Sequence, residues 1–217
     1  MRSIGLFGGT FDPIHSGHLH LAQRAMEVCH LDEVVFVPSA SPPHKPQEKI
    51  TSFHHRVAML KLALQNTSQY RISEIEASIS PPTYTIDMFS NLLATAQADT
   101  EYFFILGLDA FLDIPSWKEY KKVIRTVHFI VSSRPGFKKS QFLRCIEFLQ
   151  YQKSREHWVN RGSGRKVFYL DDHGMDVSSS KIREMISNQE AVQKHIPSAV
   201  LKYIQENNLY VSEISCI

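Results

Sequence analysis

Short apolar runs alternate along the chain with stretches whose apolar residues recur at helical spacing. Ile4–Phe7 opens the series as a strand of the kind buried on both faces of a parallel sheet. From about Gly17 to His30, the residues Leu19, Ala22, Ala25, Met26 and Cys29 fall near one face and predict a helix. Val34–Val37 is a second buried strand, so the opening is one right-handed βαβ unit. A helix over Ser52–Leu64 carries Val57, Leu60 and Leu64, with Arg56 near its start, and Arg71–Ile75 predicts a third strand. Thr83-Tyr84-Thr85 leads into a helix bearing Ile86, Phe89, Leu92 and Leu93. Glu101–Leu106 is the clearest later strand. It is followed by a helical stretch, Ala110–Val123, broken at Pro115, then by a strand at Val127–Ser132 and a short helix at Gln141–Gln150. Tyr151–Arg165 is polar and without period, and reads as an exposed excursion. Val167–Leu170 is the last strand. Ser178-Ser179-Ser180 caps a helix at Lys181–Ser187, and Pro197 opens a final helix through Ile204.

Strand and helix alternating throughout predict an α/β fold, a mostly parallel sheet with helices on both faces. Residues 1–217 are read as a single domain whose helical C-terminal part begins at about residue 178. In such sheets ligands bind beyond the carboxyl ends of the strands. Gly8–His18, Pro42–Lys45, Gly107–Asp109, Arg134–Gly136 and Ser178–Arg183 all follow strands, so they are expected to converge on one site.

Composition narrows this only a little. A 217-residue chain that is 43% hydrophobic can bury one good core, and a net charge of +2 gives no broad pull toward nucleic acid or membrane. The three cysteines form no CxxC or His-paired spacing, which argues against a disulfide framework or a structural zinc site. No apolar stretch approaches the ~20 residues that span a bilayer. A removable leader would take the glycine motif with it, so the expectation is a soluble protein of the cytoplasm.

The densest chemistry lies in Gly8-Gly9-Thr10-Phe11-Asp12-Pro13-Ile14-His15-Ser16-Gly17-His18-Leu19. Strand, glycine-rich turn and helix start together offer backbone N–H groups to a phosphate. Neither G-x-G-x-x-G nor G-x-x-x-x-G-K-[ST] is present, so a dinucleotide fingerprint and a P-loop are both excluded. His15 and His18 lack the Glu of H-E-x-x-H and a third ligand. As imidazole donors at a helix start they suit phosphate oxygens better than a metal. Taken singly, the other features have plain structural roles: Ser-Ser-Ser as an N-cap, Trp117 as core, Asp109 as a helix cap, and Lys45 and Arg134 as solvated cations.

The Gly8–Leu19 segment resembles the signature of the nucleotidylyltransferase superfamily, whose HxGH site is related to the HIGH site of class I aminoacyl-tRNA synthetases. Within it the chain is similar to the bacterial nicotinate-nucleotide adenylyltransferase family. The likeness extends through Pro42-Pro43-His44-Lys45, Tyr84-Thr85-Ile86-Asp87, Gly107-x-Asp109, Trp117, Arg134-Pro135-Gly136 and Val177-Ser178-Ser179-Ser180-Lys181-Ile182-Arg183. It reaches Pro197-x-x-Val200-x-x-Tyr203-Ile204 and Leu209-Tyr210. Val177 and Ser180 depart mildly from the family's I-S-S-T-x-I-R, and Ser180 keeps the hydroxyl.

The resemblance implies a Rossmann-like fold of the HxGH nucleotidyltransferase type. It also implies transfer of the adenylyl group of ATP to nicotinate mononucleotide, giving nicotinate adenine dinucleotide and pyrophosphate in NAD biosynthesis. By it, His15, His18 and Arg183 are the catalytic residues, and Gly8, Gly9, Thr10, Phe11, Ser178, Ser179 and Ser180 hold ATP. Lys45, Tyr84, Thr85, Gly107, Asp109, Trp117 and Arg134 take the nucleotide substrate. Mg²⁺ is expected on the ATP phosphates with no metal site in the protein. The implied partners are ATP and nicotinate mononucleotide, with no nucleic acid or membrane, and a homo-oligomer is left open. Nicotinamide mononucleotide and phosphopantetheine are the alternative acceptors, and a non-catalytic nucleotide-binding regulator is the rival of another class.

Overall fold

The computed structural model describes residues 1–41, 50–94, 99–171 and 177–211. Its sheet is built from β1 (Arg2–Gly9), β2 (Glu33–Pro38), β3 (Tyr70–Ile72), β4 (Thr100–Gly107), β5 (His128–Ser132), β6 (Tyr151–Ser154), β7 (His157–Asn160) and β8 (Lys166–Leu170). The strand order is β3-β2-β1-β4-β5-β8-β7-β6. All neighbours from β3 to β8 pair in parallel, and the β6–β7 hairpin adds an antiparallel edge.

Alternating side chains divide the core in two. On one face Ile4, Leu6, Phe104, Leu106, Phe129 and Val131 pack under α3 (Thr85–Ala94), α4 (Leu108–Leu112), α5 (Tyr120–Thr126) and α6 (Lys139–Phe148). On the other, Phe7, Phe36, Phe103, Ile105 and Ile130 pack under α1 (Ser16–Cys29), α2 (Phe53–Leu64), α7 (Ser179–Ser187) and α8 (Ser198–Glu206). Period-two burial on both faces is what an interior parallel strand requires.

The chain leaves β1 outward to β2 and β3, then crosses back to place β4 on the other side of β1. The order therefore reverses between β1 and β4, where an open α/β sheet leaves a crevice at its carboxyl edge. Phe7 is in register with Phe36 of β2 and Ile105 of β4, so Gly8, Gly9, Leu106 and Gly107 emerge together at that rim.

Two expectations need correction. The third strand stops at Ile72, and Ile75–Ser78 is a 3-10 turn. The turn brings Glu76 inward, where its Oε2 accepts hydrogen bonds from Ser39 Oγ, Ala40 N–H and Thr83 Oγ1. The Tyr151–Arg165 excursion is part of the sheet. Its polar residues face solvent as expected of an edge, while Tyr151, Trp158 and Asn160 are buried. Asn160 Oδ1 accepts from the N–H groups of Gly162 and Ser163, so Arg-Gly-Ser-Gly-Arg is an asparagine-anchored turn into β8. The break at Pro115 is confirmed, as a 3-10 turn at Ile114–Ser116. No described helix is long and apolar enough to cross a membrane.

Candidate active site

The segment joining β1 to α1 is rigidly held. Phe11 adopts φ +50 and is buried with its ring edge-on to Phe7 at 5.5 Å. Arg56, buried at 1% exposure, donates from Nη1 to Thr10 O at 2.7 Å and from Nε to Thr51 O at 2.9 Å. Burial pulls its pKa down, opposed by the negative charges of Asp12 and Glu76. The Gly8 side of the turn has no spare room, since a Cβ there would lie 2.9 Å from the Phe104 ring. The glycine thus serves the packing of β1 on β4.

His15 caps α1 and His18 is one turn inside it. The His15 backbone N–H donates to His18 Nδ1 at 3.3 Å, which leaves Nε2 of a neutral His18 as the proton-bearing nitrogen. His15 is almost fully buried, and its Nδ1 lacks a hydrogen-bond partner. Burial, then the charges of Arg134 and His195, push its pKa down to about 3. His15 is therefore a neutral imidazole at physiological pH. The Ser16 N–H and hydroxyl both donate to His195 O, at 2.9 and 3.0 Å. That first helix N–H is thus occupied by the chain itself.

Across the rim, Arg134 Nε lies 3.5 Å from Asp109 Oδ1. Both groups sit over Gly107, where a Cβ would fall 2.5 Å from Arg134 Nε. The α7 motif closes the site from the other side. Ser178 Oγ accepts from Lys181 N–H as the N-cap, Ser179 Oγ donates to Pro13 O at 3.0 Å, and Ser180 Oγ accepts from Arg183 Nη2 at 3.4 Å. Arg183 Nη1 donates to Asp12 O at 2.7 Å. Ser178 and Ser179 are thus already committed to capping α7 and docking it on the β1–α1 turn.

Beside the turn, between β1, β4, α3 and the Pro115 break, lies a cavity of about 320 Å³. Gly8, Gly9, Thr10, Tyr84, Thr85 and Trp117 all line it, so this half of the expected site is contiguous. Trp117 packs edge-on to Phe104, with ring centres 6.4 Å apart. Lys45 lies outside the described residues.

The model of the cytidylyltransferase-like family matches residues 6–185. The chain belongs to that family. Among curated members it is similar to the probable nicotinate-nucleotide adenylyltransferase of Desulfotalea psychrophila, 35% identical over 97% of this chain and 100% of that one. It is likewise similar to that of Geobacter sp. strain M21, 38% identical over 96% and 98%. Among solved structures it shares its fold with the Plasmodium falciparum nicotinic acid mononucleotide adenylyltransferase complexed with NaAD, at a TM-score of 0.76, 23% identity, and coverage of 97% and 98%.

In this family member several wall residues carry no motif signal. Ser39, Glu76, Thr83, Met88 and Lys118 line the cavity. Lys118 Nζ lies 3.1 Å from Asp87 Oδ2 and 4.7 Å from the centre of the Tyr84 ring, so it ties α3 to the Trp117 segment. Asp12 and Tyr210 also escaped as a pair, since 198 positions separate them. The adjacency of Lys118 to Trp117 was the one available clue. Glu76 and Thr83 left none.

Proposed function

We propose that the chain transfers the adenylyl group of ATP to nicotinate mononucleotide, giving nicotinate adenine dinucleotide and pyrophosphate. The observation that carries this is the His15–His18 ring pair at the start of α1, on the same β1–α1 segment whose Gly8, Gly9 and Thr10 line an aromatic-walled cavity at the β1/β4 reversal. A phosphate monoester has a second pKa of ~6, so the mononucleotide phosphate is largely dianionic at neutral pH and needs no general base. One of its oxygens attacks the α-phosphorus of ATP in line, and pyrophosphate departs with the bonding pair. What the protein supplies is positioning and charge stabilisation.

His18 Nε2–H and neutral His15 face the α-phosphate, His18 nearest to it in the transition state. Arg183, the Ser180 hydroxyl and the backbone N–H groups at the Ser178–Ser180 start of α7 meet the β- and γ-phosphates, and Gly8, Gly9, Thr10 and Phe11 shape the bed of the ATP site. Asp109 suits ribose hydroxyls, and Arg134 and Lys45 a substrate phosphate. Trp117 and Tyr84 flank the pyridine ring. The N–H groups where α3 begins at Thr85 face its carboxylate, which favours the acid over the amide. Among the described residues no group of three or more His, Cys, Asp or Glu could hold a metal ion. Mg²⁺ is assigned to the triphosphate oxygens, where it neutralises charge.

We take residues 1–217 as one domain acting in the cytoplasm. The test is pyrophosphate release from ATP and Mg²⁺ with nicotinate mononucleotide, nicotinamide mononucleotide and phosphopantetheine in turn. Rapid release with the first is expected. Release with none sinks the enzyme reading in favour of a nucleotide-binding regulator, and a strong preference for the amide overturns the acid assignment.

A further inference from the structure

The turn that carries His15 is braced from the far end of the chain. Tyr210, just past α8, donates its hydroxyl to Asp12 Oδ1 at 2.7 Å, and the Thr51 N–H donates to Oδ2 at 3.2 Å. Both oxygens of this buried carboxylate are thereby satisfied. Arg183 binds the same residue differently. Its Nη1 donates to the Asp12 backbone carbonyl at 2.7 Å but stands 4.0 Å from Oδ2, with a third of its side chain exposed. Arg183 is thus held by a neutral acceptor, and its charge is not consumed by a close ion pair.

We infer that Tyr210 is a positioning residue for the ATP half of the site: its hydroxyl occupies the Asp12 carboxylate and so keeps Arg183 available for the triphosphate. The inference rests on the reading above in that Arg183 meets ATP. Its physical basis is that a hydrogen bond to a buried carboxylate is strong, and removing the donor leaves an unsatisfied anion. A guanidinium already 4.0 Å away can answer that anion by closing on it, at the expense of a bound phosphate.

Two further observations fit. Tyr210 has φ +63, a conformation that a tyrosine adopts only where its surroundings impose it, and with Leu209 it packs onto the α1-side core. Burial and the Asp12 charge also hold the Tyr210 hydroxyl well above its ordinary pKa, so it remains a donor across the neutral range.

The test is calorimetric binding of a non-hydrolysable ATP analogue to the full chain. Tyr210→Phe should weaken binding by about tenfold, with the KM for nicotinate mononucleotide unchanged. Adding Asp12→Asn should restore affinity to within about twofold, because a neutral amide no longer attracts Arg183. Asp12→Asn alone should bind no worse than wild type, which keeps the test decisive even if Tyr210→Phe folds poorly. Unaltered affinity in Tyr210→Phe, or a loss deepened by Asp12→Asn, overturns the inference and marks the contact as structural. Failure of the function reading is seen separately, as wild-type protein that releases no pyrophosphate.

Discussion

His15 and His18 lie with ring centres 3.7 Å apart and planes 31° from parallel, joined by the hydrogen bond from the His15 backbone N–H to His18 Nδ1. The bond spends the acceptor nitrogen of His18 inside the turn and leaves Nε2 of the neutral ring as its N–H donor. His18→Ala should therefore lower kcat by about a hundredfold or more, the scale of losing one transition-state donor, with KM for ATP little changed. Steady-state kinetics in both substrates decide it. A raised KM at wild-type kcat makes His18 a ground-state binder instead.

His15 carries a pH signature in stability. Its folded pKa of about 3 lies below the ordinary imidazole value of 6.5. Between those limits the unfolded chain binds a proton that the folded chain refuses, so stability falls as pH falls through the window. Above pH 6.5 this residue contributes no slope. At its steepest the loss is about 1.4 kcal/mol per pH unit. Urea titrations of wild type and His15→Asn should diverge in slope below pH 6.5, with the variant shallower. Parallel curves refute the assignment.

Period and punctuation made the sheet legible. Ile4–Phe7, Val34–Val37, Glu101–Leu106 and Val127–Ser132 are short apolar runs, and buried parallel strands look like that in any sequence. The β6–β7 hairpin was not legible, because an edge strand packs on few positions. Tyr151, Trp158 and Asn160 are too sparse among Gln, Lys, Ser and Arg to show alternation. In the site, the motif residues announced themselves through glycine and histidine spacing. Glu76 did not, and Arg56 and Tyr210 showed only a place near a helix start and in the family likeness, because their partners are backbone groups or residues distant in sequence.

Trp117 lines the same cavity as Gly8 and Gly9. Loss of a base-stacking ring costs about 1–3 kcal/mol. Trp117→Ala should raise the KM for the mononucleotide by about tenfold or more while the KM for ATP holds, and Trp117→Phe should recover most of it. Equal rises in both constants indicate that the residue serves only as core beside Phe104.

Gly107 has φ −76, so its backbone tolerates any side chain and only space is at stake. Gly107→Ala places a methyl against Arg134 Nε and the Asp109 carboxylate. Because both partners are long or exposed side chains, they can move aside, and destabilisation should stay within the overpacking range of about 1–3 kcal/mol. Turnover should drop more than stability does, because the Arg134–Asp109 pair is displaced from the rim. A fully active variant with a lowered Tm shows that the pair is not used.

Among the described residues Arg56 is the largest fully buried side chain, and its guanidinium feels the charges of both Asp12 and Glu76 inside the fold. It joins Thr10 and Thr51 through their carbonyls, so it links the phosphate turn to the start of α2. Arg56→Met keeps the stem and its packing near Phe53 but removes the charge and both hydrogen bonds. Removing one partner from a buried charged cluster costs about 3–5 kcal/mol, and urea denaturation with an unchanged m-value should report a loss of that size. Arg56→Lys keeps the charge without the forked geometry and should fall between the two. A loss below about 1 kcal/mol in Arg56→Met shows that Asp12 and Glu76 are satisfied by their hydroxyl and N–H donors alone. The turn that carries His15 would then owe its shape to Tyr210, Thr51 and Arg183 rather than to the buried arginine.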